Sequence, residues 1–484
     1  MNFFDPQAAE SVKRGHVLLV NSLAAWTTAF MTTGINIALP AIQTEFRLSA
    51  VALGWLPLGY VLASAVFLLP FGRIGDRFGR RLLFLLGMLL FGLSSFGLVL
   101  AGSYVPLVIL RFTQGIGSAL LFATSMAMVT LAYPDKGRGR AMGIAVGAAY
   151  LGMTTGPVIG GVIVHNIGWR NLFLVIGCIA LFNFALDLWL LRRAEWKAKD
   201  PEGFDWTGSA IWAVALSLLL VGLSWLPLMR GVVLAVAGAA GLGLFGWWEL
   251  RARNPMMALR LFRHNRLFTF SNLTALISYA SIWAYTYLMS LYLQFIKGLD
   301  AQTAGLVLIV GVVLQCLVAP LAGRLSDRID PRWVASFGMG LCTLALLLFS
   351  FLQAGTAYWY LVLALCLLGA GYGIFSPPNQ IAIMGSVDRK HVGFASANMS
   401  TMRMIGMAIS IAAATLVISS IVGRHDIEPA DYPHLLSAIR VTFAVLTGLS
   451  VLSVVASLVR GKAQPDQENQ ENDQRLLSPT GETQ

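Results

Sequence analysis

Apolar runs of about twenty residues, separated by short polar clusters, recur along the whole chain. Fourteen such runs begin near residues 17, 52, 81, 104, 139, 168, 206, 231, 266, 302, 332, 357, 393 and 435. A helix that crosses the bilayer core needs about twenty mostly apolar residues. Each run therefore predicts one membrane-spanning helix. Gly and Pro inside the runs do not interrupt them, because lipid leaves the backbone no partner except itself and its neighbouring helices. The fold class expected is an all-α membrane protein with fourteen transmembrane helices.

Composition agrees with the pattern. Of 484 residues, 57% are hydrophobic and only 12% charged, with a mean hydropathy of +0.72. A soluble protein carries about 25% charged residues. The net charge of +11 raises nucleic acid as a partner, and the placement of the basic residues removes it. With the N-terminus inside the cell, the cytoplasmic segments hold 26 of the 34 Lys and Arg residues, and the outer loops hold six. That asymmetry follows the positive-inside rule and predicts both termini cytoplasmic in a plasma (inner) membrane. Cys178, Cys316, Cys342 and Cys366 fall inside apolar runs without paired spacing, as small packing residues do. Residues 460–484 are polar and apolar-poor, which predicts a disordered cytoplasmic tail.

One polar cluster stands out. "GRIGDRFGRR" at 72–81 places five charged side chains between two apolar runs, and "GRLSDRIDPR" at 323–332 returns after 251 residues. Gly72, Arg73, Asp76, Arg77 and Arg81 match Gly323, Arg324, Asp327, Arg328 and Arg332 in register. Internal repetition in a helical membrane protein predicts a transporter of two similar halves with its site between them. The organisation expected is a cytoplasmic N-terminus at 1–16, a six-helix half at 17–191, a linker with two inserted helices at 192–265, a second six-helix half at 266–459, and the tail.

These motifs resemble those of a known family. Gly72, Asp76, Arg77, Gly79, Arg80 and Arg81 resemble the signature loop of the major facilitator superfamily. Arg111, Gln114, Gly115 and Gly117 resemble its fourth-helix motif, and Gly152, Gly156, Pro157, Gly160 and Gly161 its fifth-helix antiporter motif. "NIALPAI" at 36–42 and "LYLQFIKGLDAQTAGL" at 291–306 are similar to the fourteen-helix drug:proton antiporter branch. The resemblance implies alternating access, efflux of amphipathic compounds, and a loop that latches the halves together on the cytoplasmic side. Asp76, and Asp327 with Arg328 in the second copy, would carry the latch. It also implies an Asp in the first span, where this chain has Met31.

Physical chemistry adds candidates of its own. The glycines at 152, 156 and 160 share one helix face and let another helix approach closely; Pro157 permits a kink. Gly143 and Gly147 continue the small-residue pattern. Arg111 and Arg403 lie within spans, where a charge costs ~3 kcal/mol or more and faces protein or water. Trp26, Asn36, Tyr60, Gln114, Thr154, Asn272, Tyr279, Tyr287, Gln315, Asn379 and Asn398 are neutral candidates for a cavity that receives an amphipathic small molecule. None of the 23 acids falls mid-span, and Asp187, near the end of the sixth span, comes nearest. The sequence names no catalytic residue, metal site or cofactor, and no Gly-rich nucleotide loop with a Lys. The expectation is a monomeric, non-enzymatic secondary transporter, with proton coupling through Asp187, Asp76 or a protonatable substrate. The alternatives are an organic-anion transporter using Arg111 and Arg403 without proton antiport, and a channel or membrane sensor.

The topology is testable in intact cells. In a background lacking the four native cysteines, Glu428→Cys should react with a membrane-impermeant maleimide and Phe78→Cys should not. Labelling at position 78 would invert the orientation.

Overall fold

The structure is a computed structural model. It describes residues 13–460 except 134, 193–194, 198–202, 253–254, 258, 260–261, 263–264, 327, 388–391 and 424. Asp327 and the tail from 461 lie outside the described residues. Among the described residues, fourteen helical spans are long and apolar enough to cross a membrane. The first half comprises α1 (Arg14–Phe46), α2 (Ala50–Phe78), α3 (Arg80–Leu100), α4 (Tyr104–Ala132), α5 (Asp135–Ile167) and α6 (Trp169–Leu190). The inserted pair is α7 (Trp206–Trp225) and α8 (Met229–Glu249). The second half begins with a broken span, α9 (Arg266–Ile282) and α10 (Tyr285–Leu291), which runs on as a π-helical turn, Tyr292–Ile296. It continues with α11 (Ala301–Ser326), α12 (Pro331–Ser350), α13 (Tyr358–Gly385), α14 (Val392–Ile421) and α15 (Tyr432–Val459).

The break in the ninth span frees backbone donors that lipid cannot satisfy. Ser410 of α14 takes one of them: its hydroxyl accepts from the Ala284 amide at 2.9 Å. The break is therefore held by the helix packed beside it.

Packing repeats with the sequence. In the first half α1 packs on α5, α2 on α4, and α3 on both α4 and α6. In the second half α9 packs on α14, α11 on α13, and α12 on both α13 and α15. Every pair in one half has its counterpart in the other. The seams between halves match too, α2 with α14 and α5 with α11. Helices α7 and α8 pack on each other, and α7 leans against α2 and α14. Two six-helix halves with a two-helix insertion are thus observed.

The hydrogen bonds between the halves gather at one end. On the face away from the 72–81 loop, Ser290 donates to the Asn36 carbonyl at 2.5 Å and Gln294 to that of Ile37 at 3.2 Å. Gln43 donates to the Ile427 carbonyl at 3.2 Å, and His165 lies 3.7 Å from Asp300. A Cβ on Gly161 would strike the Ala301 carbonyl, and one on Gly305 the Pro157 carbonyl. Toward the loop face the contact thins, with Arg403 of α14 over the Phe122 ring of α4 at 5.4 Å. At Gly139, Gly143 and Gly147 of α5, and at Gly323 and Gly385 opposite, a Cβ would meet nothing within 4 Å. Gly143 and Gly147 do not extend the contact that Gly152 and Gly156 make with α1, because five residues separate 147 from 152 and turn them to another face of α5.

This contrast predicts how two glycines respond to the same change. Gly156 faces the Phe30 carbonyl, Thr33 and Gly34 of α1, so Gly156→Val should overpack the contact and cost ~1–3 kcal/mol. Gly143→Val should leave the melting temperature in detergent unchanged. Equal melting of both variants would contradict the packing described.

Candidate functional site

The charged loop is shorter than its sequence implies. Residues 72–78 form the last two turns of α2, and α3 starts at Arg80. Gly79 alone makes the turn, at φ 114°, a region that side chains disfavour. Gly72 was expected to allow a turn or a close approach; it does neither, sitting within α2 with nothing within 4 Å.

Three chain segments fasten this turn. Arg81 is buried, and its Nε donates to Asp187 Oδ1 at 2.7 Å, while Nη2 donates to the Asp187 carbonyl at 3.3 Å. The stretch after α6 caps α3: Glu195 accepts from the Arg81 amide at 3.0 Å, and the Trp196 carbonyl accepts from the Arg80 amide at 3.0 Å. Burial pushes the Glu195 carboxyl above its ordinary range, with these amide bonds pulling the other way. Arg73 donates to the Pro255 carbonyl, beyond α8, at 2.7 Å. Asp76 accepts from Arg80 Nε at 2.9 Å within the same loop, and Arg77 lies over the Phe78 ring at 5.6 Å. Arg328 of the second copy is exposed.

Two cavities lie between the halves. The smaller has room for about one water. Thr32, Asn36, Tyr60 and Arg111 line it from the first half, and Trp283, Tyr287 and Ile411 from the second. Arg111 is 1% exposed. Its Nε donates to the Leu56 carbonyl at 3.1 Å, Nη1 donates to Gln114 Oε1, and its guanidinium lies over Tyr60 at 4.7 Å. Gln114 in turn donates to Ser95 at 2.7 Å, and Tyr60 to Ser118 at 2.7 Å. Three buried polar atoms on this cavity lack a partner: Arg111 Nη2, Asn36 Oδ1 and the Tyr287 hydroxyl. Met31 is fully buried on the same helix as Asn36.

The larger cavity, with room for about two waters, is lined by Thr33, Met153 and Pro157 of the first half and by Tyr279, Trp283, Tyr285, Gln315 and Tyr372 of the second, among others. Trp283 belongs to both cavities. Among the described residues, no Asp or Glu lines either of them. Arg403 of α14 lines neither cavity; it lies over the Phe122 ring of the opposite half at 5.4 Å.

The sequence candidates separate accordingly. Asn36, Tyr60, Arg111, Tyr287, Tyr279 and Gln315 come together around the cavities. Trp26 is half-buried, its ring 5.0 Å from Phe30, and Thr154 bonds the Tyr150 carbonyl and contacts Cys316. Asn272, Asn379 and Asn398 are internal to the second half: Asn398 donates to Asn272 at 2.9 Å, and Asn379 donates to Ser271 and accepts from Arg460. Arg460, expected at the head of a disordered tail, is buried. Asp187 is buried beside Arg81, at the loop-face end of α6 and away from both cavities. Trp283, Tyr285 and Tyr372 were missed, since an aromatic in an apolar run carries no mark of facing a cavity.

Two repeated helical halves, parted on one face around a central cavity, have the architecture of a membrane transporter. The comparisons with known proteins give the family. The family model described as Major Facilitator Superfamily matches residues 22–271 and again 271–482, and the chain belongs to that superfamily. It is 33% identical over 397 residues to the multidrug resistance protein Stp of Mycobacterium tuberculosis, covering 80% of this chain and 72% of that protein. It is 28% identical over 402 residues to the riboflavin transporter RibZ of Clostridioides difficile, covering 82% and 86%. The crystal structure of a bacterial homolog of the human lysosomal transporter Spinster, inward-facing and unoccupied, superposes with a TM-score of 0.64 at 18% identity over 92% of this chain and 96% of that one. That likeness concerns the fold alone.

The Arg81–Asp187 pair gives a stability test. Removing one partner of a buried pair costs about 3–5 kcal/mol, whereas replacing both by apolar residues is often neutral. Asp187→Leu should therefore lower the melting temperature markedly, and Arg81→Met with Asp187→Leu should restore much of it. A double variant no better than the single one would remove the pair from the list of fastenings.

Proposed function

We propose that this protein is a secondary active exporter of amphipathic organic compounds, working by alternating access in a plasma (inner) membrane with both termini cytoplasmic. The observation that carries the reading is the asymmetry between the halves. They touch on the face away from the 72–81 loop, part toward it, and enclose an aromatic cavity between. With the loop in the cytoplasm, as the distribution of Lys and Arg implies, this is the access state that loads from inside. Asp76, bonded to its own Arg80 here, is free of the other half in this state; in the reciprocal state the closing of the loop face brings it into the latch. Relatives named for multidrug resistance, tetracenomycin C export and methylenomycin A resistance support export.

Proton drive needs a group that gains and loses a proton as access alternates. Met31 offers none, and an Arg does not deprotonate under ordinary conditions. Coupling then rests on Asp187, on Asp76 or on a protonatable substrate. A second reading, an organic-anion transporter without proton antiport using Arg111 and Arg403, is favoured by Arg111 standing at a cavity whose described lining holds no carboxylate.

Proteoliposomes with imposed pH and voltage gradients test both. Saturable export driven by the pH gradient, lost in Asp187→Asn, supports the first reading. Export indifferent to pH and voltage supports the second, and a flux that never saturates identifies a channel and overturns both. Met31→Asp should gain pH dependence, because a desolvated carboxylate near a membrane cavity titrates closer to neutrality.

A further inference from the structure

The smaller cavity gathers polar groups of both halves that no protein atom satisfies. Arg111 of α4 is 1% exposed, and its Nη2 has no partner. The Tyr287 hydroxyl of α10 is as deeply buried and also unpartnered. Asn36 of α1 is buried and leaves Oδ1 without a partner. Among the described residues its amide nitrogen makes no hydrogen bond either. All three residues line a space with room for about one water. Pro57, Val61 and Ile411 complete the wall with apolar side chains.

Formal charge decides what that space suits. The groups that hold Arg111 are the Leu56 carbonyl, the Gln114 amide oxygen and the Tyr60 ring, all neutral. Among the described residues, no Asp or Glu lines the cavity. A buried charge without a counter-charge is costly. A water here bonds the orphan groups and leaves that charge standing. A monatomic anion cancels it, and three donors can meet it: the guanidinium N–H, the Tyr287 hydroxyl and the Asn36 amide nitrogen. The two ends of the Asn36 amide have the same shape, and neither is bonded, so they exchange places without losing a bond. A carboxylate, sulfate or phosphate is too large for a space of this size.

We infer that this cavity is a binding site for a single halide ion, chloride in the cell, held by Arg111 and Asn36 of the first half and Tyr287 of the second. The Asn36 carbonyl also accepts from Ser290 across the seam. Because its ligands come from both halves, the site exists only while the halves meet there. The ion therefore adds to the closure on the face away from the 72–81 loop. This inference goes beyond the export reading and depends on neither substrate nor direction.

The purified full-length protein is melted in detergent at constant ionic strength while sodium chloride replaces sodium gluconate. The melting temperature should rise and saturate with chloride, and likewise with bromide. Tyr287→Phe removes one donor and should raise the half-saturating chloride concentration about tenfold, the worth of one hydrogen bond to an ion. Asn36→Asp brings a carboxylate to Arg111 in place of the ion, so its melting should become independent of chloride. Arg111→Gln removes the charge and should lose the dependence too; the aspartate variant carries the test if the glutamine variant does not fold. Crystals grown in bromide should give an anomalous peak between Arg111 and Tyr287. Melting that ignores chloride would overturn the inference, and so would a rise that never saturates, which is a general salt effect. A chloride dependence that survives in folded Asn36→Asp, or a water at the site without anomalous signal, would overturn it as well. None of these readouts involves transport, so the export reading stands or falls separately.

Discussion

Helix α5 presses backbone to backbone against two partners. Through Gly152 and Gly156 it meets the Trp26 and Phe30 carbonyls of α1, and through Gly161 and Pro157 it meets Ala301 and Gly305 of α11. Between apolar helices in lipid no hydrophobic force drives association, so close packing of small residues has to do it. One helix thereby holds its own half together and carries the contact with the other half. Only the pair at the far end, Gly161 against Ala301 and Gly305 against Pro157, joins the two halves.

Electrostatics inside this frame is one-sided. Arg81 is buried with a carboxylate and serves as a fastening. Arg111 is buried with a carbonyl, an amide and a ring, none of which carries a formal charge. A guanidinium placed so is tolerated because its planar fork can spread several bonds over neutral acceptors. The same placement leaves the positive potential uncancelled at the place where the halves meet. Replacing a first-helix carboxylate by Met31 thus alters more than one side chain: it changes the sign of what the interior can hold.

Much of the fold was legible in the sequence, for a physical reason. Lipid leaves the backbone few choices, so twenty apolar residues announce a helix, and the matched loops at 72–81 and 323–332 announce the repeat. The candidate site was less legible. Arg111 could be singled out because charge within a span is costly. Asn272, Asn379 and Asn398 look the same in sequence as Asn36, yet they find partners inside the second half. Trp283 and Tyr372 look the same as any aromatic packed between helices. Gly72 and Gly79 also read alike, and only Gly79 has a backbone that requires glycine. What decides each case is the direction a side chain takes once the helices have packed, which no local pattern records.

The connection between the halves has a mechanical consequence. Glu195 and Trp196, at its start, and Pro255, near its end, are both bound to the α2–α3 turn. The inserted helices between them are therefore a closed side loop pinned to the first half. The Met256 and Met257 amides donate to Glu249 of α8 at 3.2 and 3.0 Å, and the Phe262 carbonyl accepts from Thr269 of α9 at 2.6 Å, so the span between fixed points is about five residues, with a fully extended reach of roughly 18 Å. However long the insertion is, this short leash sets how far the halves can part on the loop face, and cutting the chain within the side loop would leave that limit untouched.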